Sequence, residues 1–216
     1  MEAVSQRSLD WGFATMPRNG QSESGDRHVV QFFPGGVLLA VIDGLGHGDQ
    51  AAVAASAAES ILRAQPEEPV ISLVRQCHES LRSTRGVVMS LVSLDTSHGL
   101  MTWLGVGNVR GVVHRAADSS MPAREGRPIK SSIRPLREEL ILRGGVIGGQ
   151  IPSLQASVIP VSRGDTLLLA TDGIRGEFVR ELASQESSQR MAEGILTTYR
   201  KETDDALVLV ARILGS

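Results

Sequence analysis

The sequence is poor in cysteine, in aromatic residues and in net charge, and each shortage excludes something. Cys77 stands alone, so no internal disulfide can form, which suits a reducing compartment. Aromatic residues amount to 3%, too few for a surface on which bases stack. A net charge of −2 and a pI near 6.2 give no basic footprint for nucleic acid. No apolar run approaches the ~18 residues of a membrane span, and "MEAVSQRSLDWGFATMPRNG" has no apolar core of signal-peptide length. The expectation is a cytoplasmic protein with neither nucleic acid nor membrane as partner. What is present is 41% hydrophobic residues and 23 glycines in 216 residues, enough for one sizeable core. We therefore expect a single domain over residues 1–216.

Along the chain, "DRHVVQFF" (26–33) and "GVLLAVI" (36–42) alternate like strands and flank Pro34-Gly35, a hairpin signal. "DQAAVAASAAESILRAQ" predicts a helix with Asp49 as its cap and Pro66 as its stop. "PVISLVRQCHESL" predicts a second helix, with Cys77 on its apolar face as packing. From Gly86 the period changes to two. "VVMSLVSLD", "LMTWLGV" and "RGVVHR" read as an antiparallel meander. Residues 116–138 read as a polar surface excursion, made basic by Arg124, Arg127, Lys130, Arg134 and Arg137. "LILRG" and "LQASVIPV" flank a loop, and "TLLLATDGI" is a further strand. Two helical patterns follow between Arg175 and Arg200, and "DDALVLVARIL" closes as a strand. Strand blocks with grouped helices point to an α+β fold.

Four of these strands carry an acid at one end: Asp26 in "SGD", Asp43 in "VIDGLGHG", Asp172 in "ATDG", and Asp204-Asp205 before "ALVLVA". Asp-Gly is a common hairpin turn, which accounts for any one of them. It does not account for Asp43 and Asp172, which precede helical patterns. Carboxylates gathered in one place raise one another's pKa and resist desolvation, and divalent cations relieve both costs. An all-oxygen donor set selects Mg²⁺ or Mn²⁺ over zinc. A glycine after a ligating Asp lets its carbonyl approach an ion closely.

"SGD", "DGLGHG", "TDG" and "DDALVLV", in this order and over nearly the whole chain, resemble the metal-dependent PPM phosphatases (the protein phosphatase 2C superfamily). "DGxGHG" is similar to their bacterial SpoIIE-type branch. The short length, Arg85-Gly86 and "VGNVR" are most similar to its stressosome phosphatases. This resemblance implies a four-layer αββα sandwich of two antiparallel sheets flanked by helices, with two divalent cations, Mn²⁺ or Mg²⁺, at one edge. It implies that Asp43 bridges both ions and that the Gly44 carbonyl binds one. Asp172 and Asp204 would serve the first ion and Asp26 the second, with Asp205 in the outer shell or as the alternative to Asp204. The implied reaction is hydrolysis of phosphoserine or phosphothreonine by a metal-activated water held by Asp43 and Asp172, with no side-chain nucleophile. The implied partners are phosphorylated STAS-domain stressosome proteins or, alternatively, an anti-sigma-factor antagonist. Asn108 stands where many relatives carry an Asp for a third metal.

His47, in the glycine turn, is a candidate for contacting phosphate or protonating the leaving oxygen, against a structural role in the turn. His28, His78, His98 and His114 have no ligand spacing. Arg18 and Arg27 flank the first motif and are candidates to hold phosphate. Two other readings stay open. "DGLGHGD" could be a dinucleotide turn, although Asp49 replaces its third glycine. The chain could also bind a phosphoprotein without cleaving it.

Overall fold

A computed structural model describes residues 8–116, 137–180 and 186–215. In chain order the elements are β1 (Leu9–Met16), β2 (Asp26–Phe33), β3 (Gly36–Gly44), α1 (Asp49–Ala64), α2 (Val70–Ser80), β4 (Val87–Asp95), β5 (Leu100–Val106) and β6 (Arg110–His114). They continue with β7 (Arg137–Glu139), β8 (Leu142–Arg143), β9 (Ser157–Pro160), β10 (Thr166–Ala170), a 3₁₀ turn (Gly176–Arg180), α3 (Ser188–Tyr199) and β11 (Ala206–Ile213). One sheet runs β1-β11-β10-β6-β7; the other runs β2-β3-β4-β5-β8, with β9 also on β5.

The apolar runs of β3 and β11 are continuous because both strands are covered on both faces. In β3, Leu38, Ala40 and Ile42 pack toward α1 and α2, while Val37, Leu39 and Val41 face the other sheet. In β11, Leu207, Leu209 and Ala211 face the seam between the sheets, while Ala206, Val208 and Val210 pack beneath α3. Three apolar layers thus separate four layers of structure, and each fully buried Val, Leu or Ile contributes roughly 1.5–3 kcal/mol. The expected αββα sandwich is present, with one departure. The β5–β8 contact is parallel and two residues long, whereas the other strand pairings described are antiparallel.

Several local expectations hold. Phe33 pairs with Gly36 across the Pro34-Gly35 turn, where Gly35 takes a φ of 88°. Cys77 is fully buried in the helix-facing layer, and burial pushes its thiol up to about 12. Others need correction. Asp49 does not cap α1: Gly48 holds the cap position with no side-chain hydrogen bond, and Asp49 is the first helical residue. "LILRG" yields only the two residues of β8, and the first helical pattern after Arg175 is a 3₁₀ turn. β1 was not anticipated. It pairs with β11 along its whole length, from Leu9↔Ile213 to Met16↔Ala206. Its weak alternation hides it, and Gly12 looks like a strand breaker. The glycine is there because α3 lies against it: a Cβ on Gly12 would meet the Gln189 Cα at 2.3 Å. Arg124, Arg127, Lys130 and Arg134 lie outside the described residues, while Arg137 opens β7.

Candidate metal centre

Strand parity places the acids. Residues 37, 39 and 41 of β3 face the inter-sheet seam, so Asp43 follows them on that face. Asp26 is its cross-strand partner in β2. On the other sheet Leu207 and Leu209 face the seam, which aims Asp205 at it, and Leu167 and Leu169 do the same for Thr171. The two sheets meet in a hydrogen bond at this end of the seam: Thr171 Oγ1 donates to Asp26 Oδ2 at 2.8 Å. Thr171 Oγ1 in turn accepts from the Leu207 amide at 2.9 Å. Asp172 and Asp204 lie one residue beyond these seam positions, next to Thr171 and Asp205.

The carboxylates feel one another strongly. Burial, with repulsion from Asp172, Asp204 and Asp205, pushes the Asp43 carboxyl up to about 7. Burial and repulsion from Asp43 raise Asp26 well above the usual carboxylate range, against the lowering effect of Thr171. Asp172 is raised by burial and by Asp204, opposed by Lys201 and Asn108. Asn108 Nδ2 donates to Asp172 Oδ2 at 2.7 Å, so this amide steadies a neighbouring carboxylate. Lys201 Nζ donates to the Asp172 carbonyl at 2.6 Å.

The pair Asp204-Asp205 divides its work. Asp205 is 5% exposed and accepts from the Arg18 amide through Oδ1 and the Gly25 amide through Oδ2, both at 2.8 Å. Asp204 is half-buried and accepts only a local bond from the Asp205 amide, at 3.0 Å, among its hydrogen bonds to described residues. Asp205 therefore ties the segment before β2 to the head of β11, while Asp204 keeps carboxylate oxygens for other use.

Two glycines are required by close approach. A Cβ on Gly44 would meet the Ala51 carbonyl oxygen at 2.2 Å, where the first turn of α1 rests on the end of β3. A Cβ on Gly173 would meet the Asp205 carbonyl oxygen at 1.8 Å. Both positions exclude any side chain, and both lie beside an acid of the cluster.

The donor set fits Mg²⁺ or Mn²⁺. The candidate donors read from the sequence are carboxylates and the Gly44 carbonyl, with no described His or Cys among them. No three or more described His, Cys, Asp and Glu side chains are arranged to hold one ion. Mg²⁺ commonly takes one or two carboxylates and keeps several waters, so a cluster of this kind suits it. A cleft of about 670 Å³ lies between α1 and α2, lined by Ser60, Arg75 and Glu79 among others, and shares no residue with the acids.

The remaining candidates fall elsewhere. His47 is exposed, and its Nδ1 lies 3.1 Å from Gln21 Nε2. His28 stacks on Phe13 at 3.7 Å, and burial with Arg63 lowers it to about 4. His78 accepts from the Gly148 amide, His114 is buried, and exposed His98 pairs with Asp95. Arg27 is committed to Glu23 and to the Ser24 and Asp26 carbonyls. Sequence reasoning missed Thr171 and Lys201. Thr171 was legible in principle, as the residue before the acid in "TDG".

Residues 34–214 match the family described as Stage II sporulation protein E (SpoIIE). The chain belongs to the SpoIIE family. Phosphoserine phosphatase RsbX of Bacillus subtilis (strain 168), one relative of this SpoIIE-family chain, is 22% identical over 193 residues, covering 89% of this chain and 88% of its own. The fold agrees with RsbX in complex with magnesium at a TM-score of 0.80 and 18% identity, covering 98% of both chains. It agrees equally, at a TM-score of 0.80 and 27% identity, with a chain solved under the description of the bacterial stressosome as a modular system adapted to control secondary messenger signaling; 94% of this chain and 99% of that one are covered. The PPM resemblance read from the motifs is thus borne out for family and fold, and the dinucleotide turn is not the fold found.

Proposed function

We propose that this protein is a Mg²⁺- or Mn²⁺-dependent phosphatase that hydrolyses phosphoserine or phosphothreonine on STAS-domain stressosome proteins. The observation that carries the reading is the seam itself. Acids from four strand ends, remote in sequence, meet where the two sheets are joined by Thr171 and Asp26. The magnesium complex of RsbX and the stressosome chain of the same fold support the metal and the partner class.

In this reading Asp43 would serve both ions, with Asp172, Asp204 and the Gly44 carbonyl at the first, some of them through metal-bound water because no three of the described carboxylates already converge on one point. Asp26 serves the second, and Asp205 stays in the outer shell. Ions bound there supply a water of lowered pKa and neutralise charge on the phosphoryl oxygens. The chain's own part is placement. Asp43 and Asp26 stand opposite each other on β3 and β2, so one sheet fixes their separation. Thr171 orients Asp26, and Asn108 orients Asp172. Lone Cys77 is buried among apolar side chains with its thiol raised, which removes it as a nucleophile.

The test is phosphate release from phosphorylated STAS-domain protein and from a phosphorylated anti-sigma-factor antagonist, side by side, with Mn²⁺ or Mg²⁺. We expect release from the STAS-domain protein, abolished by chelator and by Asp43→Asn. Faster release from the antagonist would reassign the substrate. Binding without release at any metal concentration would make the chain a phosphoprotein-binding module.

A further inference from the structure

We infer that Arg85 is the residue that grips the phosphoryl group of the substrate, an assignment that rests on the phosphatase reading above. β3 and β4 pair Asp43 with Val88 and Gly44 with Val87. Past the end of the ladder the register continues, because the Leu45 amide donates to the Gly86 carbonyl at 3.1 Å. The next position sets Arg85 against Gly46. A Cβ on Gly46 would lie 2.6 Å from Arg85 Nη1, and Gly46 takes a φ of 95° that disfavours any side chain. The glycine turn after Asp43 is therefore the bed on which the guanidinium lies.

The hold on that guanidinium leaves its outer edge to a ligand. Gln50, in the first turn of α1, accepts from Nε at 2.6 Å. Arg85 has no ion pair with the described acids, and its side chain is exposed. The two Nη groups form a planar fork that matches two phosphoryl oxygens, a geometry a lysine cannot supply. The mount is rigid. The Gly86 amide donates to Thr84 Oγ1 at 3.0 Å, and Val87 and Ile147 exchange two backbone bonds at 2.9 Å. A Cβ on Gly86 would meet the Ile147 carbonyl oxygen at 2.5 Å. Thus a cation without an acid partner among the described residues is fixed over the turn that leads away from Asp43.

The test compares wild type with Arg85→Ala, Arg85→Lys and Arg18→Ala, all loaded with Mn²⁺. Arg85→Ala should raise both the KM for p-nitrophenyl phosphate and the inhibition constant of inorganic phosphate by about tenfold or more, the usual weight of a charge-assisted pair. Arg85→Lys should recover part of the loss, while Mn²⁺ affinity and Tm stay at wild-type values. An unchanged phosphate constant in Arg85→Ala overturns the assignment, as does a tenfold loss appearing in Arg18→Ala instead. Should wild type show no turnover, the phosphatase reading fails separately. Calorimetric titration of inorganic phosphate into the Mn²⁺-loaded proteins then decides Arg85: weaker binding by Arg85→Ala supports it, and equal or absent binding overturns it.

Discussion

The two sheets bring their acids to the seam in different states. On the β2–β3 side, Asp26 and Asp43 face each other across a strand pair; burial raises both, with repulsion from Asp43 acting on Asp26 and repulsion from Asp172, Asp204 and Asp205 acting on Asp43. The help there is one hydroxyl, from Thr171 of the opposite sheet. On the β10–β11 side, Asp205 is held by two backbone amides, while Asp172 has Asn108 at its carboxylate and Lys201 at its carbonyl. One half of the centre is partly compensated by the protein, although Asp172 is still raised, and the other half has less help. The difference teaches where positive charge relieves most repulsion: at the β2–β3 half, where Asp26 and Asp43 are both raised.

The largest test of that contrast is Asp43→Asn. It should cut metal-dependent phosphate release by at least about 100-fold, beyond the 10–100-fold typical of outer partners of a metal site. It should also raise the Tm of the chelator-treated protein, since a repelled buried charge is gone. A lowered Tm in chelator would mean that Asp43 is not repelled.

Asp204→Asn against Asp205→Asn comes next. Asp204→Asn should weaken Mn²⁺ binding, read by calorimetry, with little change of Tm. Asp205→Asn keeps one acceptor oxygen of two and should destabilise by about 1–3 kcal/mol in a denaturant titration. Interchanged results would exchange their roles.

The pH dependence of the metal-free protein is a third way to break the comparison. Asp43 sits near 7 when folded and near 3.8 when unfolded. Between those values the folded chain holds a proton that the unfolded chain has released, so stability falls as pH rises through this window. The denaturation midpoint in chelator should therefore drop from pH 5 to pH 7.5. Mn²⁺ or Asp43→Asn should flatten the slope, and a flat profile in the chelated wild type would contradict it. Thr171→Val, the smallest of the four, removes the hydroxyl that joins the sheets and should destabilise by about 1–2 kcal/mol, with a modest loss of Mn²⁺ affinity.

Much of this was legible in the sequence where the signal was local. Pro34-Gly35 fixed the first hairpin, and the period-two runs after Gly86 gave the meander. Acids at strand ends, with glycine behind Asp43 and Asp172, marked the cluster. What escaped depends on partners far along the chain. Leu9–Met16 is a strand because β11 offers it a continuous ladder, not because its residues alternate well. The 3₁₀ turn at Gly176–Arg180 is a tertiary outcome of packing Phe178 under α3. Arg85 was visible as part of "RG", yet its role depends on Gly46 and Gln50, some forty residues earlier.

The position of β11, between β1 and β10, has a consequence for synthesis. A nascent chain that has emerged only as far as Tyr199 already contains Asp26, Asp43 and Asp172, but the strand that unites its first and tenth strands is missing. With Asp205 absent, nothing draws the Arg18 and Gly25 amides into place. The seam is therefore completed last, when a single segment enters the middle of its sheet.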